Sequence, residues 1–282
     1  MYRFSTFRHK EARYRISSDR EEICTYGIRQ ARREIEEYIR ICPEFQTALE
    51  PLPPLSFEDM SRTPPLVRRM IHASELTGTG PMAAVAGAIA EAAGEKARAA
   101  GAELIVIENG GDIYLGRLGP GSSEDSSITV GLYTGPDSPL TGRIALKITA
   151  SMLPAGLCSS SSLMGHSSSF GLCDLATVYA DDTAVADACA TLACNLIRFE
   201  ADMKEAMDRI TAIEGVRGIL CVLGDKLGMA GVMPELTPAK GGDIVAKVTR
   251  HERRGVGGGF LDGVGAGGGL LDPLRAAISS LK

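Results

Sequence analysis

The chain has 282 residues, enough for one large domain or two closely packed ones. A content of 44% hydrophobic and 23% charged residues excludes disorder for the bulk of it. The net charge of −5, with 5% aromatics and no Trp, gives no basic face and no stacking platforms, so no nucleic-acid partner is expected.

No apolar run reaches the ~18 residues of a membrane span, so no membrane partner is expected either. The charged opening MYRFSTFRHKEARYRI lacks the apolar core of a signal peptide. Seven scattered cysteines with no CxxC pair read as reduced thiols, mostly buried as small apolar fillers. Together these point to the cytoplasm.

In chain order, residues 2–8 and 12–16 read as a short hairpin, with Tyr14 and Ile16 alternating against Arg13 and Arg15. Ser18 and Glu21 have capping-box spacing and open a helix whose apolar stripe is Ile28, Ala31, Ile35 and Ile39, a solvated cover for the sheet. Four prolines between Pro43 and Pro54 mark an irregular connection. A second helix starts near Thr63-Pro64-Pro65 and stops before Gly78. Gly80 to Ala100 is a third helix. Its first half is almost all Ala and Gly, with no charge until Glu91, and so demands tight burial.

Four strands are expected at Glu103–Glu108, Asp112–Leu118, Ser127–Thr134 and Arg143–Ala150. A serine-rich loop then runs from Cys158 to Gly171. Leu175–Tyr179 is a strand, Thr183–Phe199 a buried helix, 201–213 an amphipathic helix, and Arg217–Leu223 with Lys226–Val232 a hairpin. Nine glycines in 255–269 read as a tail, giving a single domain over 1–250 followed by a Gly-rich segment over 251–282. Hairpins outweigh βα alternation, so the class is α+β, with mainly antiparallel strands packed on helices. The stretches 1–150 and 151–250 have similar element content, as a duplication would produce.

Three places could carry chemistry. In the helix from Thr183, Asp187, Thr191 and Asn195 fall at i, i+4 and i+8 on one face of an otherwise apolar cylinder. A buried carboxylate needs a cation, a ligand or strong hydrogen bonds. Asp and Thr oxygens one turn apart suit magnesium or calcium, and equally suit a structural network. The run Glu108-Asn109-Gly110-Gly111-Asp112 is a hairpin signal, whose open Gly110 and Gly111 amides, with Asn109 and Asp112, could also meet a ligand. The loop CSSSSLMGHSSSFG gathers seven serines around His166, a composition that suits phosphate and proton transfer, or simply a surface loop.

Taken in order, GPMAAVAGAIAE, ENGGDI and the serine loop leading into ADACAT resemble the ApbE superfamily of flavin transferases, over roughly residues 75–200. The resemblance implies a tunnelling-type α+β fold and a magnesium ion held by Asp187, Thr191 and the carbonyl of Ala83. It also implies a flavin-dinucleotide (FAD) pocket lined by Asn109, Gly110, Gly111 and Asp112, with Ser160 and Ser161 nearby and His166 and Asp187 as catalytic groups. The ligand would be a small phosphate-bearing molecule.

The chain departs from the family in two motifs. Ala83-Ala84-Val85 stands where Ala-Lys-Gly is usual, and His166 is followed by Ser-Ser-Ser-Phe-Gly rather than x-x-Asp-Pro-x-Thr-Gly. These departures fit a divergent cytoplasmic branch, members of which, in anaerobes, are tied to homocysteine formation from sulfide. Three readings follow: a magnesium-dependent protein that cleaves FAD or transfers its FMN part, an enzyme of sulfide incorporation, and a non-catalytic binder.

Overall fold

A computed structural model describes residues 3–162 and 171–239. Both the Gly-rich segment and His166 lie outside the described residues. The chain runs β1 (Ser5–His9), β2 (Ala12–Ser18), α1 (Glu21–Ile41), α2 (Glu44–Thr47), α3 (Phe57–Arg62), α4 (Pro65–Thr77), a 3-10 turn over Pro81–Ala84 and α5 (Val85–Ala99). It continues through β3 (Leu104–Asn109), β4 (Asp112–Leu118), β5 (Ser127–Gly131), β6 (Ile144–Thr149), β7 (Ala155–Ser160) and β8 (Leu175–Ala180). Then come α6 (Thr183–Leu196), α7 (Asp202–Thr211), β9 (Val216–Leu223), β10 (Lys226–Gly231) and β11 (Glu235–Pro238).

The main sheet has eight strands in the order β1-β2-β3-β4-β7-β8-β9-β10, and every adjacent pair is antiparallel. This is the α+β, mainly antiparallel class expected from the sequence. Topologically it is one unit used twice. A strand pair, a helical crossover and a second strand pair make β1β2–helices–β3β4, and the same order recurs as β7β8–α6α7–β9β10. The insertion between the copies, β5 and β6, forms a separate three-stranded sheet with β11.

Strand alternation sorts the core into two layers. Ile105, Ile107, Tyr114, Val178, Ile219 and Cys221 face the helices. Val106, Leu115, Leu157, Tyr179, Leu220 and Val222 face the small sheet. With both faces covered, the central strands read as continuous apolar runs, which is why β3 and β9 were plain in the sequence.

Several local readings shift. Ser18 does not cap α1, because it stays paired with Ile105 in the sheet, and its Oγ accepts instead from the Arg20 N–H at 3.0 Å. The helix starts later, at Glu21, and its stripe of Ile28, Ala31 and Ile35 packs chiefly on α5 rather than on the sheet. The expected 183–199 helix stops at Leu196, where the Asp202 carboxylate accepts the Arg198 and Phe199 N–H groups, both at 2.9 Å. Cys158, Ser159 and Ser160, expected in a loop, complete β7 in the middle of the sheet. Gly156 hid that strand: a Cβ there would sit 2.6 Å from Thr183 Cα, so glycine is required where α6 begins against β7.

Candidate active site between the paired helices

The site forms where α5 begins, α6 crosses it and the β3–β4 turn meets both. The Ala- and Gly-rich start of α5 lets α6 come close: a Cβ on Gly87 would lie 2.2 Å from the Thr183 carbonyl oxygen. Asp187 uses that proximity. Its Oδ2 accepts the Gly87 N–H at 2.9 Å, and the Ala86 N–H also reaches it. These are orphan donors at the start of α5, where the helix dipole favours an anion.

Asn109 ties the turn to the same place by donating from Nδ2 to the Ala86 carbonyl at 3.3 Å. Gly110 and Gly111 both have positive φ (71° and 110°), the conformation of a two-residue hairpin loop joining the paired Asn109 and Asp112. The turn is thus an ordinary hairpin and a wall of the site at once.

Asp112 and Asp187 are each 8% exposed, and their charges act on one another. Burial pushes Asp187 up to about 7, against the pull of the Gly87 and Ala86 N–H groups. Burial first, then the charge of Asp187, pushes Asp112 well above the carboxylate range, while the Cys158 thiol and Ser159 N–H oppose this. The pair therefore keeps a proton where isolated carboxylates would be fully ionised. Asp112 Oδ1 is buried with no hydrogen-bond partner. Among the described residues neither carboxylate forms an ion pair, and the nearby Glu108 is engaged by Arg15 at 3.1 Å.

Thr191 lies one turn beyond Asp187 on α6 and is likewise 8% exposed, whereas Ala186, Ala188, Cys189, Ala190 and Ala193 are fully enclosed. Asp187 and Thr191 therefore keep a little exposure on one face of that stretch, as the apolar Leu192 also does at 8%. Ala83 sits in the 3-10 turn leading into α5, which packs on α6. Ser160 ends β7 and hydrogen-bonds with Cys194, and Ser161 follows it, buried. The base of the serine loop is closed by the Ser162 N–H donating to the Cys173 carbonyl at 2.9 Å.

Two participants were missed in the sequence. The β4–β7 register, Ile113 opposite Leu157, brings Cys158 and Ser159 alongside Asp112. The Cys158 thiol lies between the Asp112 carboxyl and the Thr183 carbonyl, donating to the latter at 3.4 Å. Period-two alternation would have signalled them, had β7 been read as a strand.

The donors fit a hard cation. Among the described residues no three His, Cys, Asp or Glu side chains converge as a metal site. A cation here would therefore take at most two carboxylates, with hydroxyl, carbonyl and water oxygens completing its shell. Magnesium accepts that kind of set, because it gives up its waters reluctantly. The orphaned Asp112 oxygen beside the cation-free Asp187 supports the same fit.

Fold and site together define a class: a duplicated, antiparallel α+β protein with a pair of buried carboxylates where its two Ala-rich helices cross. The chain belongs to the family described as AbpE bacteria, whose model matches residues 5–216, and within it to the UPF0280 proteins. It is 40% identical to the UPF0280 protein of Methanothrix thermoacetophila over 226 residues, 79% of this chain and 89% of that one. It is 37% identical to the UPF0280 protein of Archaeoglobus fulgidus over 256 residues, 88% of this chain and all of that one. Among solved structures, the apo flavinyl transferase ApbE of Pseudomonas stutzeri is 12% identical, covering 82% of this chain and 94% of that one, with a TM-score of 0.49. Among the described residues no helix is long and apolar enough to cross a membrane.

Proposed function

We propose that the chain binds a flavin dinucleotide with magnesium at this site and cleaves its pyrophosphate, releasing AMP as the FMN phosphoryl group passes to water or to an acceptor hydroxyl. The observation that carries the reading is the Asp112–Asp187 pair: two buried carboxylates, one oxygen without a partner, and no cation on either among the described residues. Membership of the AbpE family and the motif resemblance supply the flavin.

Asp187, Thr191 and the Ala83 carbonyl would hold the ion, with Asp112 completing the acidic wall. When bound, magnesium offsets pyrophosphate charge and polarises the scissile phosphoryl group. The chain's own groups bind and orient. Asn109, Gly110 and Gly111 present the turn to the dinucleotide, and Ser160 and Ser161 offer hydroxyls to phosphate oxygens. Asp187 would hold the ion as its carboxylate. His166 is assigned proton transfer to the leaving group by its place in the serine loop.

The test is incubation of the protein with FAD and magnesium, following AMP by chromatography and binding by thermal shift. Magnesium-dependent AMP release that is lost in Asp187→Asn supports the reading. A shift on FAD binding without AMP leaves a non-catalytic binder, in keeping with the absent lysine and Asp-Pro motif. No shift and no AMP removes flavin from the account.

A further inference from the structure

A cavity of about 360 Å³ lies at the far end of the two elements that build the carboxylate pair. Asp112 opens β4, and Arg117 stands five residues on, ~16 Å along an extended chain. Gly87 lies in the first turn of α5, and Arg98 in its last turn, ~16 Å along the helix. The two arginines line the cavity together.

The cavity exists because the sheet loses a strand there. The β4–β7 pairing ends at Leu115 opposite Ala155, and the preceding Pro154 has no N–H to extend it. β4 runs on through Gly116, Arg117 and Leu118 with β3 on one side and no strand on the other. A bulge then sets the side chains. Ile105 pairs with Arg117 and Val106 with Leu115, so Gly116 is the extra residue. A Cβ on Gly116 would stand 3.0 Å from both the Ile105 Cβ and the Tyr114 ring, which explains the glycine. Strict alternation from Leu115 would send Arg117 to the face of the small sheet. The bulge places it opposite Ile105 instead, on the face that α5 covers. There α5 lies directly on β4, since a Cβ on Gly94 would meet the Tyr114 ring at 2.2 Å.

Arg98 and Arg117 thus reach the gap from the helix layer, and Ala150, Leu153 and Pro154 line it from the segment between β6 and β7. Glu103 stands on the same wall. Its backbone is committed: the N–H donates to the Asp19 carboxylate at 3.0 Å, and the carbonyl accepts the Gly119 N–H at 2.9 Å. Its carboxylate is not. Among the described residues Arg15, Arg32, Arg62, Arg69 and Arg217 form ion pairs, whereas Arg98, Arg117 and Glu103 form none. Charges of both signs therefore share one cavity without joining, and the space between them is open to a guest.

We propose that this cavity binds a short zwitterionic peptide, with its carboxylate on Arg98 and Arg117 and its ammonium towards Glu103. Two guanidinium groups suit a carboxylate through charge-assisted hydrogen bonds. A phosphate dianion would suit them as well, but Glu103 would repel it, whereas an ammonium gives that carboxylate a partner. The unpaired edge of β4 offers the N–H and C=O groups that a peptide backbone satisfies. Ala150, Leu153 and Pro154 give its side chains apolar contact. The volume is at the low end for ligand cavities and limits the guest to about two residues. The site does not rest on the flavin reading.

The experiment is isothermal titration calorimetry of the full-length protein with alanyl-leucine, its C-terminal amide, its N-acetyl form and inorganic phosphate. Alanyl-leucine should bind, and the amide and phosphate at least ~10-fold more weakly. Arg98→Gln and Arg117→Gln should each weaken alanyl-leucine by about 10-fold or more. Both side chains are exposed, so the variants should fold as wild type does. Glu103→Gln should weaken alanyl-leucine and leave the N-acetyl form unchanged, a selectivity that a merely structural role would not produce. No binding of alanyl-leucine at about 10 mM, or binding untouched by either arginine variant, overturns the proposal. So does an amide that binds as well as the free acid, or phosphate that binds more tightly than the peptide. An N-acetyl form as tight as alanyl-leucine overturns the assignment of Glu103.

Discussion

Helices α5 and α6 each lend a carboxylate to the start of the other, and the two carboxylates are provided for in opposite ways. Asp187 of α6 accepts the Gly87 N–H of α5 at 2.9 Å, and Glu91 of α5 accepts the Thr183 N–H of α6 at 2.7 Å. Both are buried, and burial pushes each up to about 7. Glu91 has a counter-charge: Arg69 of α4 lies 3.5 Å away and also bridges Glu95 and Asp182. Asp187 has a second carboxylate, Asp112, in place of a cation. A neutralised copy needs nothing further and serves packing. An unneutralised pair, each member 8% exposed, carries an electrostatic cost that a cation bound there would relieve. On the proposed reading, the difference between a strut and a site is one arginine.

The largest expected effect breaks that comparison at the site. Asp187→Asn keeps the shape but removes a hard ligand, and magnesium-dependent turnover of FAD should fall on the order of 100-fold or more. The apo protein should be no less stable, because the variant also removes the repulsion with Asp112. Activity assays beside thermal melts check both halves, and a fall in stability with activity retained would make Asp187 the strut.

Glu91→Ala is the converse. It leaves Arg69 partly buried with one partner fewer and frees the Thr183 N–H, which should cost about 2–4 kcal/mol in denaturant unfolding. Activity per folded molecule should be unchanged. A selective loss of turnover would place Glu91 in the chemistry.

The pH profile sharpens the contrast. Glu91 rises from 4.5 and Asp187 from 3.8, each to about 7 on folding. Between those limits these two groups bind more protons in the folded state than in the unfolded one, so their contribution to stability is fully present below about pH 4 and is lost as pH rises towards 7. Glu91→Gln should remove one part of this fall. Saturating magnesium should remove the other in wild type and leave the Glu91 part intact. Melting temperature against pH, with and without magnesium, reads both slopes.

What the sequence disclosed follows the same division. Asp187 with Thr191, and Asn109 through Asp112, were legible because each depends on local spacing: one helical turn in the first case, a two-residue loop in the second. The Ala-rich starts announced close packing for the same reason. Arg69 with Glu91, and Cys158 with Asp112, join residues 22 and 46 positions apart, and only sheet register and helix crossing bring them together. β7 was lost because its serines and Gly156 have loop composition, while its strand state comes from β4 and β8 on either side. β11 pairs across to β6 from nearly ninety residues further along and has no periodicity of its own.

The smallest effect separates helix integrity from charge placement. Gly78 ends α4, the helix that supplies Arg69, with φ 73° and its N–H donating to Ser74 at 2.8 Å. Nothing lies within 4 Å of a Cβ built there, so Gly78→Ala meets no clash and bears only the left-handed backbone cost, about 1 kcal/mol. Arg69 stands nine residues earlier and is held by three carboxylates, so it should not move. The melting temperature should therefore drop by a few degrees while its slope with pH stays that of wild type. A flattened slope would mean that the end of α4, and not the carboxylates, fixes Arg69 over Glu91, and the neutralised copy would then owe its stability to the loop.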